Sequence, residues 1–173
     1  CAELFGIRPD IVTWGKIIGG GFPVGAYAAR DDLMQRISPS GDVYQAGTLS
    51  ANPLAMRAGL ATLEQLADGS VYRRLEQLGS ELDNAVADNP DFVVERFGSL
   101  FWVHPRMPEN ETIRTAEQFD SMPEYFPALF AELLAAEIYL PPSPFEVGFL
   151  SAAHDSNDIG HLAETLRIAA SKA

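Results

Sequence analysis

One cysteine, two lysines and no long apolar run mark this 173-residue chain by what it lacks. With Cys1 alone, no internal disulfide can form, which argues against an oxidised, secreted scaffold. No stretch approaches the roughly 20 apolar residues that cross a bilayer, so no membrane partner is expected. Basic residues are scarce as well, 12 against 24 acidic ones, and the net charge of −12 repels nucleic acid phosphate. Such an acidic surface keeps a chain soluble; it also suits a salt-rich cytoplasm, where screening removes self-repulsion over a short distance. The opening Cys1-Ala2-Glu3-Leu4-Phe5 has neither an initiator methionine nor a basic region before an apolar one. No signal peptide is read there, and the expectation is a cytoplasmic chain cut inside a longer protein.

What is present centres on one of the two lysines. Lys16 lies in Thr13-Trp14-Gly15-Lys16-Ile17-Ile18-Gly19-Gly20-Gly21-Phe22-Pro23, where a β-branched and aromatic run meets a triple-glycine turn. An amine meant for imine chemistry must lose its proton near neutral pH, and largely apolar surroundings favour that because they solvate the charged form poorly. Glycines let the backbone turn sharply and come close to a flat ligand. The same glycines do not form a nucleotide phosphate loop, since the spacing and the following Lys-Ser/Thr are missing.

The string Asp10 to Ala26 resembles the lysine segment of the class III (ω-type) aminotransferases, which use pyridoxal phosphate. Further on, Tyr44-Gln45-Ala46-Gly47-Thr48-Leu49-Ser50-Ala51-Asn52-Pro53 is similar to a second signature of one branch, the glutamate-1-semialdehyde 2,1-aminomutases. Ordinary ω-aminotransferases usually carry His-Gly-x-Thr-Phe there. A third stretch, Pro141-Pro142-Ser143-Pro144-Phe145-Glu146-Val147-Gly148-Phe149, resembles the aminomutase segment whose glutamate faces the active site. Ala51 departs from the pattern, which normally has glycine before Asn-Pro.

The resemblance implies an α/β fold: the C-terminal part of a fold-type I transferase dependent on pyridoxal 5'-phosphate. Residues 1–69 would be the end of the large cofactor domain with its connecting helix, and residues 70–173 a small α+β domain. Lys16 is then the catalytic lysine, binding the cofactor aldehyde and moving protons between substrate and cofactor carbons. Thr48 matches the threonine that contacts the cofactor phosphate of the neighbouring subunit, which implies a homodimer with shared active sites. Glu146 matches the glutamate that positions a small amino-aldehyde substrate. The cofactor would pass through its pyridoxamine 5'-phosphate form. The aspartate and the phosphate loop that complete the cofactor site precede the lysine in that family, and neither is found in this sequence.

Without the resemblance, Thr48 reads as a turn threonine and Glu146 as a surface loop carboxylate. His104, His154 and His161 match no metal-ligand spacing, so no metal is expected. Two further readings stay open. One is a related ω-aminotransferase or aminomutase acting on another amino compound; the other is a non-catalytic dimerisation or structural module.

Periodicity predicts strands at Ile11–Trp14 and within Val24–Ala29, then a short helix from Asp31. A long helix is expected after Asn52 as cap, with Pro53 in its first position and Leu54, Ala58, Ala61 and Leu66 on its apolar side. A helix over 71–87 places Leu75, Leu78, Leu82 and Val86 in a core. Strands follow at 92–97 and 100–104, then a polar loop over 105–111, helices over 124–137 and 158–172, and a strand at Ile138–Leu140. Helices on one side of a small sheet make an α+β arrangement.

Overall fold

A computed structural model describes residues 2–106, 115–119 and 122–172, which fall into two compact units, Cys1–Gly69 and Ser70–Ala173. The sequence-predicted loop over 105–111 lies largely outside the described residues.

In the first unit, β1 (Ile11–Trp14) pairs antiparallel with β2 (Ala26–Ala29), Ile11 opposite Ala29 and Trp14 opposite Ala26. Arg30 reaches both Asp10 and Asp32, closing the open end of this two-stranded ribbon. A 3-10 turn, Lys16–Gly19, follows β1 directly. Short helix α1 is Asp31–Met34, with its two aspartates in the first turn as a helix dipole favours. Helix α2 is Pro53–Leu66. Asn52 caps it, its side-chain oxygen accepting from the backbone N–H of Leu54 at 3.1 Å and of Ala55 at 3.2 Å.

The 3-10 turn packs on α2 by backbone approach. Gly20 has φ +57, and a Cβ placed there would stand 2.5 Å from the Ala58 carbonyl oxygen; one placed on Gly59 would collide with the Ile18 carbonyl. The buried side of α2 is therefore Ala55 and Gly59, whereas Leu54 and Ala61, two of the residues expected there, are exposed. Small residues win that face because a leucine would hold the turn away.

The second unit is a three-stranded antiparallel sheet in the order β3-β4-β5: Phe92–Phe97, Leu100–Pro105 and Gly148–Phe149. Helices α3 (Ser70–Val86), α4 (Met122–Ala135) and α5 (Ser156–Ala170) supply the rest of its core, and a 3-10 turn spans Ala116–Phe119. Leu78, Leu82, Phe92, Leu129, Leu133 and Leu166 are fully buried. At about 25 cal/mol per Å² of apolar surface, each is worth on the order of 2 kcal/mol. Asp155 starts α5 with a reciprocal capping box: it accepts from the backbone of Asn157 and Asp158, and Asp158 accepts from the backbone N–H of Asp155 at 2.8 Å. These bonds favour the charged Asp155 carboxylate and lower its pKa.

Ile138–Leu140 is not a strand. Glu137 takes φ +64 after the end of α4, Ile138 N–H turns back to the Leu133 carbonyl at 2.9 Å, and Pro141 and Pro142 follow without donors. The third strand comes instead from the two residues Gly148–Phe149, too short for a periodicity to register. Among the described residues no helix is long and apolar enough to cross a membrane.

Candidate active site

Lys16 begins the 3-10 turn with φ +58, the left-handed region that residues other than glycine rarely enter. The conformation costs on the order of 1–2 kcal/mol for an L-residue, so the surrounding backbone must impose it. Here the imposition comes from β1 on one side and the Gly20 contact with α2 on the other. The side chain is exposed, and among the described residues its amine makes no hydrogen bond or ion pair. The apolar enclosure expected around it is not supplied by this unit, where neighbouring Trp14 and Ile17 are themselves 48% and 55% exposed. The glycines differ in what they meet within this chain. Gly19 is buried and Gly20 is pressed on α2, while Gly21, at φ +90, faces open space.

Thr48 occupies the turn before α2, where Ser50 N–H bonds the Gly47 carbonyl at 3.0 Å and Asn52 N–H the Leu49 carbonyl at 3.1 Å. Thr48 is exposed, and its hydroxyl is committed to nothing among the described residues. Ala51 closes the turn at φ +56. The departure from glycine noted in the sequence thus falls at a position whose backbone favours glycine.

Two clefts flank these residues. One, of about 450 Å³, is lined by Trp14, Ile18, Val24, Ala55, Met56 and Leu60 among others. Another, of about 230 Å³, runs along Pro23, Val24, Gly25, Gly47, Ser50 and Ala51. Chain neighbours of Lys16 and Thr48 line them, but neither residue does.

Glu146 sits in the second unit, in the loop before β5. Its backbone N–H bonds the Ser143 carbonyl at 3.3 Å, and Phe145 N–H bonds the Ser143 hydroxyl at 3.3 Å. The carboxylate is exposed and has no partner among the described residues. Other charged groups are engaged by contrast. Arg96 grips Glu76 with two hydrogen bonds of 2.9 and 3.1 Å and Asp83 with one of 2.8 Å, a pairing that lowers the Glu76 pKa and raises its own.

The histidines serve structure. His161 Nε2 lies 2.8 Å from the Ala136 carbonyl, and His154 Nδ1 accepts from Ser151 N–H at 3.0 Å. Buried His104 has Nδ1 at 2.8 Å from the Pro105 carbonyl; since a carbonyl only accepts, Nδ1 carries the proton. Sequence reasoning passed over Trp102, whose indole N–H donates to the Pro144 carbonyl at 2.8 Å in the loop that bears Glu146. The signal was available, since a half-buried tryptophan needs a partner for that N–H.

Comparison with known proteins extends this geometry. A family model described as aminotransferase class-III matches residues 1–95. Glutamate-1-semialdehyde 2,1-aminomutase of Akkermansia muciniphila is 41% identical over 98% of this chain and 41% of its own length. That of Methylacidiphilum infernorum is 48% identical over 92% of this chain and 38% of its own. Among solved structures, an omega-transaminase from Sphaerobacter thermophilus superposes with a TM-score of 0.81 at 26% identity, covering 98% of this chain and 40% of that one. A glutamate-1-semialdehyde aminomutase from Pseudomonas aeruginosa gives 0.80 at 20% identity and shares the fold, with 41% of its length covered. The chain spans about two fifths of the proteins it matches. The lysine in its left-handed turn, packed on the small-residue face of α2, thus lies within the segment that the family model matches, and the chain belongs to the class-III aminotransferases.

Proposed function

We propose that this chain is the C-terminal portion of a cytoplasmic, homodimeric enzyme that uses pyridoxal 5'-phosphate to convert glutamate 1-semialdehyde to 5-aminolevulinate, a precursor of tetrapyrroles. Residues 1–69 would end its large domain and residues 70–173 form its small one. The observation that carries the reading is the state of three polar groups. The Lys16 amine, the Thr48 hydroxyl and the Glu146 carboxylate are all exposed and uncommitted among the described residues. The relatives with 41% and 48% identity over nearly the whole chain, named as aminomutases, support the choice of reaction.

The donor set fits the cofactor: an amine for its aldehyde and a hydroxyl for its phosphate, with a carboxylate left for the substrate's ammonium group. When bound, pyridoxal phosphate supplies an aldehyde that captures amines and a ring that draws electrons from the carbon bearing the nitrogen. Lys16 Nζ would hold that aldehyde and, when free of it, would be the group that takes a proton from the substrate carbon and returns it. Thr48 would hold the phosphate of the neighbouring subunit's cofactor with its hydroxyl. Glu146 accepts from the substrate's ammonium group and retains the diamino species until the second half of the reaction returns the amino group. An aminotransferase releases its product at that midpoint.

A second reading has an observation in its favour. A β-phenylalanine aminotransferase from Variovorax paradoxus superposes with a TM-score of 0.80 at 30% identity, above the 20% of the aminomutase structure. The test is to reduce the cofactor-loaded enzyme containing this chain with borohydride, map the labelled peptide, and assay 5-aminolevulinate from glutamate 1-semialdehyde. The label should fall on Lys16 and the product should form. A label on Lys172, or none with cofactor bound, overturns the Lys16 assignment; a label on Lys16 without 5-aminolevulinate leaves the aminotransferase reading.

A further inference from the structure

The loop that carries Glu146 is poor in donors of its own, because Pro141, Pro142 and Pro144 contribute none. Its turn is closed locally by the two Ser143 contacts; after Glu146 the chain joins the sheet at Gly148, opposite Phe101, but the stretch before Glu146 lies outside that pairing. Trp102 supplies a tie. Its indole N–H reaches 42 residues along the chain to the Pro144 carbonyl at 2.8 Å, two residues before Glu146.

The indole is itself held in place. Trp102 sits in β4 opposite Glu95 of β3, so its backbone is fixed by the ladder. Two residues on and on the same side of the strand, the His104 ring tilts against it at 4.9 Å between centroids. His104 is 3% exposed, and its Nδ1–H is bound to Pro105. Between the loop and β4, a gap of only about 10 Å³ remains, lined by Trp102, Phe126, Ser143, Pro144 and Glu146 among others. That is no more than about one water's worth of room, so the loop is seated on the strand. Glu146 is nonetheless exposed, and its carboxylate has no partner among the described residues.

We propose that Trp102 is a positioning residue for Glu146: through the Pro144 carbonyl it fixes where the carboxylate meets the substrate. The inference rests on Glu146 acting in the site as described above. Replacing the indole by a ring without a donor frees the Pro144 carbonyl and lets the turn drift. Catalysis then falls although no reacting group has been removed, because displacements on the ångström scale are costly to a reacting geometry.

The experiment is a double-mutant cycle in the cofactor-loaded enzyme containing this chain, with turnover of glutamate 1-semialdehyde normalised to bound cofactor. Glu146→Gln should lower turnover roughly ten- to hundredfold and Trp102→Phe about three- to tenfold, the ranges that follow from charged and neutral hydrogen bonds. If Trp102 acts through Glu146, the double variant stays within about twofold of Glu146→Gln alone. A general loss of stability would instead multiply the two effects. Losses that multiply, or a Trp102→Phe enzyme with wild-type turnover, overturn the positioning role while Glu146 stands. Wild-type turnover in Glu146→Gln sinks the Glu146 reading and this inference with it. Should Trp102→Phe fail to fold, benzothienylalanine at position 102 keeps the bicyclic shape, removes only the donor, and is read in the same cycle.

Discussion

The two units of this chain are built on different terms. Among the described residues of the first, three are buried, Gly19, Ala55 and Gly59, and two of those have no side chain. The second has a continuous core from Leu78 to Ala170. Yet the first unit holds the lysine and the threonine that the family resemblance singles out. Lys16 and Thr48 are thus held by backbone geometry, through a strand ribbon, a glycine contact and an asparagine cap, while apolar burial holds the second unit, which carries Glu146.

The sharpest test of that contrast compares one leucine from each. Leu82 is fully buried and Leu63 is 45% exposed. Leu82→Ala should cost about 2–5 kcal/mol and Leu63→Ala no more than about 0.5, measured by urea unfolding of the 173-residue chain. Equal costs would mean that the first unit has an apolar core after all. Next in size, Thr48→Val should weaken cofactor retention by about 1.5–3 kcal/mol with thermal stability unchanged, since a hydroxyl on a charged phosphate is lost and the shape is kept. A cofactor dissociation constant equal to wild type would remove Thr48 from the site.

Ala51→Gly should stabilise the chain by about 0.5–1 kcal/mol, because the left-handed strain removed outweighs the added freedom of the unfolded chain. A lower unfolding midpoint would show that the turn relaxes around alanine at no cost. The smallest effect belongs to the second unit. Glu76, held charged by Arg96, has its pKa lowered from 4.5, so its contribution to stability is complete above about 4.5 and is lost as the pH falls through the lowered value. Because the pair is exposed on the Glu76 side, the slope is small; Arg96→Leu should flatten it in acid unfolding curves.

How far the sequence could be read follows the same division. Leu75, Leu78, Leu82 and Val86 recur at helical spacing, and α3 does bury the last three with Leu75 packed beside them. Asn52-Pro53 marks the start of α2 to the residue, because the cap and the fixed proline φ are local. The hairpin β3–β4 was equally legible. What escaped depends on contacts distant in sequence. The buried side of α2 is set by a turn more than 30 residues upstream, β5 has two residues and no period, and Ile138–Leu140 has strand composition but follows a left-handed Glu137. At the site, residue types and order were readable, but the strained φ of Lys16 and the tie from Trp102 to Pro144 were not.

The contacts of Gly20 with Ala58 and of Gly59 with Ile18 have a bearing on how this chain can be altered. Each glycine leaves the space that the other segment's backbone fills, so a methyl group on either one pries the turn from the helix. Lys16 begins that turn. A substitution at position 59, on a helix and remote in sequence, therefore reaches the lysine as a displacement. Libraries made to change what this chain accepts should leave both glycines untouched. A screen that scores Gly59 variants as inactive would be recording a misplaced amine as well as any change in the cleft that Gly59 lines.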